Sequence, residues 1–261
     1  ISSFLNKKIK VIGLVDNWSG HDTVVFENIF RNLFLISCDE FISFSENVGD
    51  KIKNNSKKSI LSLFHPINSH LPEKISKEEA LKNLNIPMNQ YILFIGLIRK
   101  YKGVDKLIKA FYYLSKENKD LKLIIAGEFY DNILLYKKLI NRKDIIDKVI
   151  IDNNFLTSNK IRDYICVSDA VIQPYNIASQ SGITPVAYFY DKPLVVSSIK
   201  GLKENIIKDQ SGELFDETVV NLATAIKNCI NPENNRNYSR NISNVKKKYS
   251  WSRFVKKINI T

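Results

Sequence analysis

The sequence is poor in glycine, with nine in 261 residues, about half the ~7% of ordinary usage. Collagen-like and glycine-rich repeat architectures are excluded, and each remaining glycine becomes worth locating. Cysteine is scarcer still. Cys38, Cys166 and Cys229 are odd in number, far apart and without CxxC spacing. That supports neither a disulfide framework nor a cysteine zinc site, and it fits a reducing compartment. The three histidines are scattered and have no cysteine partners, which argues against a structural metal. No apolar run approaches the ~18–20 residues that span a bilayer. The longest, Tyr91–Ile98, is strand-sized. In the opening segment the charges follow the apolar residues, the reverse of a signal peptide. The expectation is a soluble, cytoplasmic protein. Because it starts at Ile1, the chain is expected to be a fragment or a processed product.

What is present is a core and an excess of positive charge. Hydrophobic residues make up 44% and charged residues 25%, and 39 Lys and Arg against 27 Asp and Glu leave a net charge of +12. An anionic partner is implied. The lysines are spread over helices and tails with no zinc-finger, RRM-like or homeodomain pattern, so nucleic acid is not expected. An anionic membrane face suits the same charge.

Short β-branched runs alternate with amphipathic stretches. Strands are expected at Lys10–Val15, Glu40–Phe44, Tyr91–Ile95, Leu121–Ala126, Lys148–Ile151, Ala170–Gln173 and Leu194–Ser197. Most are continuously apolar, as in parallel strands buried on both faces. Val104, Leu107, Ile108, Phe111 and Leu114 share one helical face. Ser76 to Glu79 reads as a capping box opening a helix that ends before Pro87, and Leu222, Ile226 and Cys229 mark a helix stopped near Pro232. The alternation implies an α/β fold. A boundary is expected at His65–Pro72. Before it lie two clear strands and one helix, a partial domain over residues 1–65. After it, residues 66–248 hold five strand–helix units, enough for a Rossmann-like domain, and residues 249–261 a final helix. Asn231–Lys248 reads as a low-complexity tract, and His65 and His70 as linker residues.

Two loops carry candidate chemistry. Gly96 to Gly103 leaves a strand, passes Arg99, Lys100 and Lys102, and enters a helix. Cations at a helix start suit a phosphate, and a solvated basic loop is equally open. Pro174 to Thr184 gathers Ser179, Gln180, Ser181 and the Gly182 amide at the start of the apolar helix beginning at Ile183. These groups can cap the helix or grip phosphate oxygens. A third loop, Val15 to Asp22, holds Asp16 and His21, and spacing alone favours a solvated turn there.

Taken in order, these segments resemble the family-4, GT-B-fold retaining glycosyltransferases. The matching segments are Gly96–Gly103 with the helix Val104–Phe111, Leu121–Gly127, Ser168–Pro174, Gln180–Gly182, Lys192–Ser197, Gly201–Glu204, Gly212–Phe215 and Tyr249–Phe254. The resemblance covers Tyr91 to Phe254, the nucleotide-sugar-binding half. It implies a GT-B-like fold with one complete Rossmann-like parallel-sheet domain and a partial one before it.

The resemblance also implies roles. Arg99 and Lys102 would neutralise the diphosphate of a UDP- or GDP-sugar beside Gly96, with no cofactor or metal. Arg99 would be a displaced substitute, since Leu97 stands where most of the family has arginine. Gln180, Ser181, Gly182 and Ile183 would hold the distal phosphate or the transferred sugar. Asn153 and Phe155 fall where the family contacts the base, and Glu204 matches an acidic position in the loop after the next strand. His21 and Asp16 fall on the acceptor-side loop, where His21 would bond a sugar hydroxyl and Asp16 or Asp22 would orient the acceptor. The family's paired glutamates would fall at Ala178 and Val186, so ribose recognition must differ. The implied activity is sugar transfer to a polysaccharide, glycoconjugate or lipid-linked acceptor, at the inner face of the membrane. The alternative is a catalytically silent binding or scaffold subunit.

Overall fold

The β-branched runs become two parallel sheets in a computed structural model, which describes residues 9–18 and 26–258. The first sheet comprises β1 (Ile12–Val15), β2 (Glu40–Ser43) and β3 (Ile60–Ser62), in that order. Its described connections are α1 (Glu27–Ser37) and α2 (Glu46–Lys53). Residues 65–72 carry no regular element beyond a turn and lead to α3 (Lys77–Leu84), which Ser76 caps by accepting from the Glu79 amide at 3.1 Å.

Then follow β4 (Gln90–Ile95), α4 (Val104–Glu117), β5 (Leu121–Ala126), α5 (Ile133–Arg142), β6 (Val149–Asp152), α6 (Ser158–Val167), β7 (Ala170–Gln173), α7 (Ile183–Phe189), β8 (Leu194–Ser197), α8 (Lys200–Asp209), β9 (Gly212–Phe215), α9 (Val219–Cys229), α10 (Pro232–Val245) and α11 (Trp251–Ile258). The second sheet runs β6-β5-β4-β7-β8-β9, all parallel, the order of two mononucleotide-binding halves back to back. Tyr91–Ile95 of β4 are buried. So are Val104, Leu107, Ile108, Phe111 and Leu114, the apolar stripe of α4. Each such side chain contributes about 1.5–3 kcal/mol over leaving it in water.

The first sheet departs from expectation. It has a third strand, Ile60–Ser62, and a second helix, Glu46–Lys53; one is too short and the other too polar to show a clear pattern. β1 alternates, with Ile12 and Leu14 exposed, so it is not buried on both faces. The apolar residues Ile29, Phe30 and Leu33 of α1 are exposed as well. In the second sheet β9 is an added strand, its period obscured by Gly212 and Glu213. The Asn/Lys-rich tract is an ordered helix, α10. Asn231 caps it by accepting from the Glu233 and Asn234 amides, Pro232 occupies its first turn, and Ile242 is buried.

The chain passes between the sheets again at its end. Ile67 N–H donates to the Tyr249 carbonyl at 2.8 Å, so the two crossings run side by side. Phe254 of α11 is buried with Ile42 and Leu63 of the first sheet, its ring 5.6 Å from Phe44 and 5.9 Å from Phe64.

Candidate active site

The order of the second sheet reverses between β4 and β7, and a crevice opens at the carboxyl ends of strands at such a point. Two glycines let the loops there close on one another. Gly103 has φ 66°, and a Cβ on it would stand 2.1 Å from the Pro174 carbonyl oxygen. Gly127 has φ 130°, and its Cβ would meet the Gly96 carbonyl oxygen at 2.2 Å. Any other residue would force apart the loops after β4, β5 and β7.

That closure sets Lys102. Its Nζ lies 5.2 Å from the centre of the Tyr175 ring and would be 3.7 Å from a Cβ on Gly96. Tyr175 is buried, and its phenol shares a hydrogen bond with the Ser181 hydroxyl. Burial, and secondarily repulsion from Arg99, bring the Lys102 ammonium down to about 8. Among the described residues no carboxylate offsets this. Arg99 lies with its guanidinium 4.9 Å from the centre of the Tyr130 ring. A half-buried lysine beside a second cation is a place that an anion completes.

Ser181 and Gly182 lead into α7. The Ser181 hydroxyl accepts from the Ile183 amide at 3.3 Å, and Gly182 is exposed. The helix has only seven residues, so its open amides matter more than its macrodipole. The Ile183 side chain reaches the same glycine as Lys102, 3.7 Å from a Cβ on Gly96. Gly96, Lys102, Ser181 and Ile183 are therefore brought together, with Arg99 near enough to bear on Lys102.

The first sheet closes on this rim. Gln180 Nε2 donates to Asp16 Oδ1 at 2.7 Å, and Ser45 Oγ donates to the Ser179 carbonyl at 3.0 Å. Further along, Lys200 and Asp50 pair at 2.8 Å. His21 lies outside the described residues. His65 is not merely in the linker: its ring is 5.2 Å from that of Phe44, and its Nε2 would be 3.9 Å from a Cβ on Gly182. His70 is exposed.

The other candidates lie apart. Asn153 and Phe155 stand exposed just beyond β6, two strands from β4, and Asn153 Oδ1 accepts from the Phe129 amide at 3.0 Å. Glu204 sits within α8 rather than in a loop, because the helix already begins at Lys200. Burial, then the nearby Glu46, push its carboxyl above the ordinary range. Glu204, Gln180 and Ser181 line a cavity of about 370 Å³ between the sheets, with Glu46, His65, Lys208, Lys248, Arg253 and Lys257 also on its walls. Sequence reasoning missed Tyr175, Tyr130 and these cavity cations. Tyr175 had one signal, its place directly after Pro174 at a strand end.

Two parallel Rossmann-like sheets whose carboxyl-terminal rims face one another define the GT-B type of fold. The chain belongs to the glycosyl transferases group 1 family, whose model matches residues 76–248. Curated relatives include an uncharacterized glycosyltransferase of Haemophilus influenzae, 27% identical over 77% of this chain and 53% of its own length. Another, of Methanocaldococcus jannaschii, is 23% identical over 88% of this chain and 60% of its own. The chain thus spans a little over half the length of these relatives. Among solved structures, Anabaena HepE in complex with UDP is similar with a TM-score of 0.82 at 15% identity, covering 99% of this chain and 73% of that one. The glycosyltransferase WaaG, involved in lipopolysaccharide biosynthesis, is similar with a TM-score of 0.69 at 14% identity, over 79% of this chain and 58% of that one. No helix among the described residues is long and apolar enough to cross a membrane.

Proposed function

We propose that the protein transfers a sugar from a nucleoside-diphosphate sugar to a polysaccharide or glycoconjugate acceptor with retention of anomeric configuration. The observation that carries this reading is Lys102. It is a half-buried ammonium held to about 8 beside Arg99 at the sheet's switch point, and a pyrophosphate would complete it. Anabaena HepE is similar in fold and has been solved with UDP and with UDP-glucose, which supports a uridine donor.

In this reading the bond between the sugar's anomeric carbon and the diphosphate oxygen breaks, and its electron pair leaves with the diphosphate. Lys102, Arg99 and the open amides at Ser181 and Gly182 meet that growing charge, with no metal ion required. A well-placed donor of this kind is worth ~3–4 kcal/mol of barrier. The acceptor hydroxyl attacks from the face the diphosphate leaves, and its proton passes to the departing phosphate oxygen. Asn153 and Phe155 flank the base, Gln180 steadies the transferred sugar, and Asp16 and His21 orient the acceptor. The net charge of +12 suits work at an anionic membrane surface on the cytoplasmic side.

Isothermal titration with UDP-glucose and GDP-mannose tests the reading. Binding by the folded protein, weakened at least tenfold in Lys102→Ala, is expected. Binding of neither sugar nucleotide, nor of UDP or GDP, would overturn it. A second reading, binding without turnover, draws on Ala178 and Val186 standing where the family's glutamates fall. Transfer to any acceptor by the full-length gene product would remove it.

A further inference from the structure

The cavity between the sheets has walls of opposite character. Glu46 at the start of α2 and Glu204 on α8 both line it, and burial, then the charge of Glu46, raise the Glu204 carboxyl. Lys208 lies in the last turn of α8, and the chain crossing back at the C-terminus adds Lys248, Arg253 and Lys257. Among the described residues none of these cations has a carboxylate within ion-pair distance, whereas Lys200 and Lys246 nearby are paired with Asp50 and Asp191 at 2.8 and 2.7 Å.

The volume, about 370 Å³, lies within the ~300–1,000 Å³ of small-molecule sites. Its position is specific. Ser181 lines it on one side and on the other bonds the Tyr175 phenol, whose ring takes Lys102. The cavity therefore adjoins the proposed diphosphate site through one residue. Carboxylates accept from sugar hydroxyls. Unpaired ammonium and guanidinium groups take a phosphate or carboxylate, with charge-assisted bonds.

Resting on the transferase reading above, we infer that this cavity seats the acceptor, and that the acceptor is an anionic saccharide. Its hydroxyls face Glu46 and Glu204, and its phosphate or carboxylate faces Lys248, Arg253 and Lys257. Lys257 is held in place by its contact with Phe64, 5.4 Å from the ring centre.

The test measures binding of glucose 6-phosphate, glucuronate and glucose to the whole chain, and of UDP separately. The unsubstituted protein is expected to bind both anionic sugars at least tenfold more tightly than glucose. Lys248→Ala/Arg253→Ala/Lys257→Ala is expected to lose that preference while its affinity for UDP stays unchanged. These side chains are exposed, so the variant should fold, and the UDP titration reports that it has. Equal binding of anionic and neutral sugars, or an unaltered preference in the triple variant, would overturn the proposal. So would binding of phosphatidylglycerol vesicles that the triple variant loses without any binding of the soluble anionic sugars, since the cations would then serve a lipid surface. Failure to bind UDP with the sugar preference intact counts against the donor reading alone.

Discussion

Gln180 Nε2 and Asp16 Oδ1 are 2.7 Å apart although 164 residues separate them in the chain. The bond joins the loop after β7 to the end of β1, so two loops singled out for unrelated reasons prove to be one wall of a cleft. The amide nitrogen of Gln180 is thereby committed to the first sheet.

Asp16→Ala removes that bond at an exposed position. The expected cost in urea-induced unfolding is small, about 1 kcal/mol or less. The separation between the sheets should nevertheless widen, read as a larger radius of gyration in solution scattering. A loss of stability above ~3 kcal/mol would show that Asp16 serves the core rather than the cleft.

Lys102 predicts a pH dependence. Its folded value lies near 8, below its ordinary 10.5, and a bound diphosphate raises it again. Affinity for UDP should therefore fall as pH rises through about 8, by at most tenfold per unit. In the free protein the sign is opposite. The folded state disfavours the charged ammonium, so stability gains from Lys102 as pH rises from about 8 towards 10.5. Titrations between pH 7 and 10 check the first effect, and Lys102→Arg should flatten the curve.

Gly103→Ala places a methyl group 2.1 Å from the Pro174 carbonyl oxygen in a left-handed backbone. The expected loss of stability is about 3 kcal/mol, with UDP binding weakened because Lys102 moves with the loop. Chemical denaturation and titration of the same variant measure both.

Tyr249→Phe removes the hydroxyl that donates to the buried Asp209 carboxylate, which would keep only the Tyr188 hydroxyl at 3.1 Å among the described contacts. A cost of about 1–3 kcal/mol is expected, seen as a lower melting temperature. Tyr249 precedes the cations of the final helix, so the variant should also blunt the preference for anionic sugars.

Much of the second sheet was legible because its strands are buried on both faces and its helices are amphipathic, as Tyr91–Ile95 and the stripe from Val104 to Leu114 show. β3 and β9 were not. Three or four residues give no period, and Gly212 and Glu213 hide the second. The Gly96–Gly103 loop could be read as a site from charge and glycine placement. The partnership of Lys102 with Tyr175 could not, since it depends on Gly103 admitting the Pro174 carbonyl from a loop some seventy residues away. The cavity was legible only in Gln180, Ser181 and Glu204, and not as an enclosure. Its acids come from residues 46 and 204 and its bases from residues 208, 248, 253 and 257, and only the return of the last helix brings Arg253 and Lys257 to them.

The linker and the returning C-terminal segment cross side by side, tied where Ile67 meets the Tyr249 carbonyl, so two lengths of chain and not one join the halves of the molecule. A paired crossing leaves one rim fewer ways to lie against the other than a lone linker would, so the meeting of Asp16 with Gln180 is set by the route of the chain as well as by their own bond.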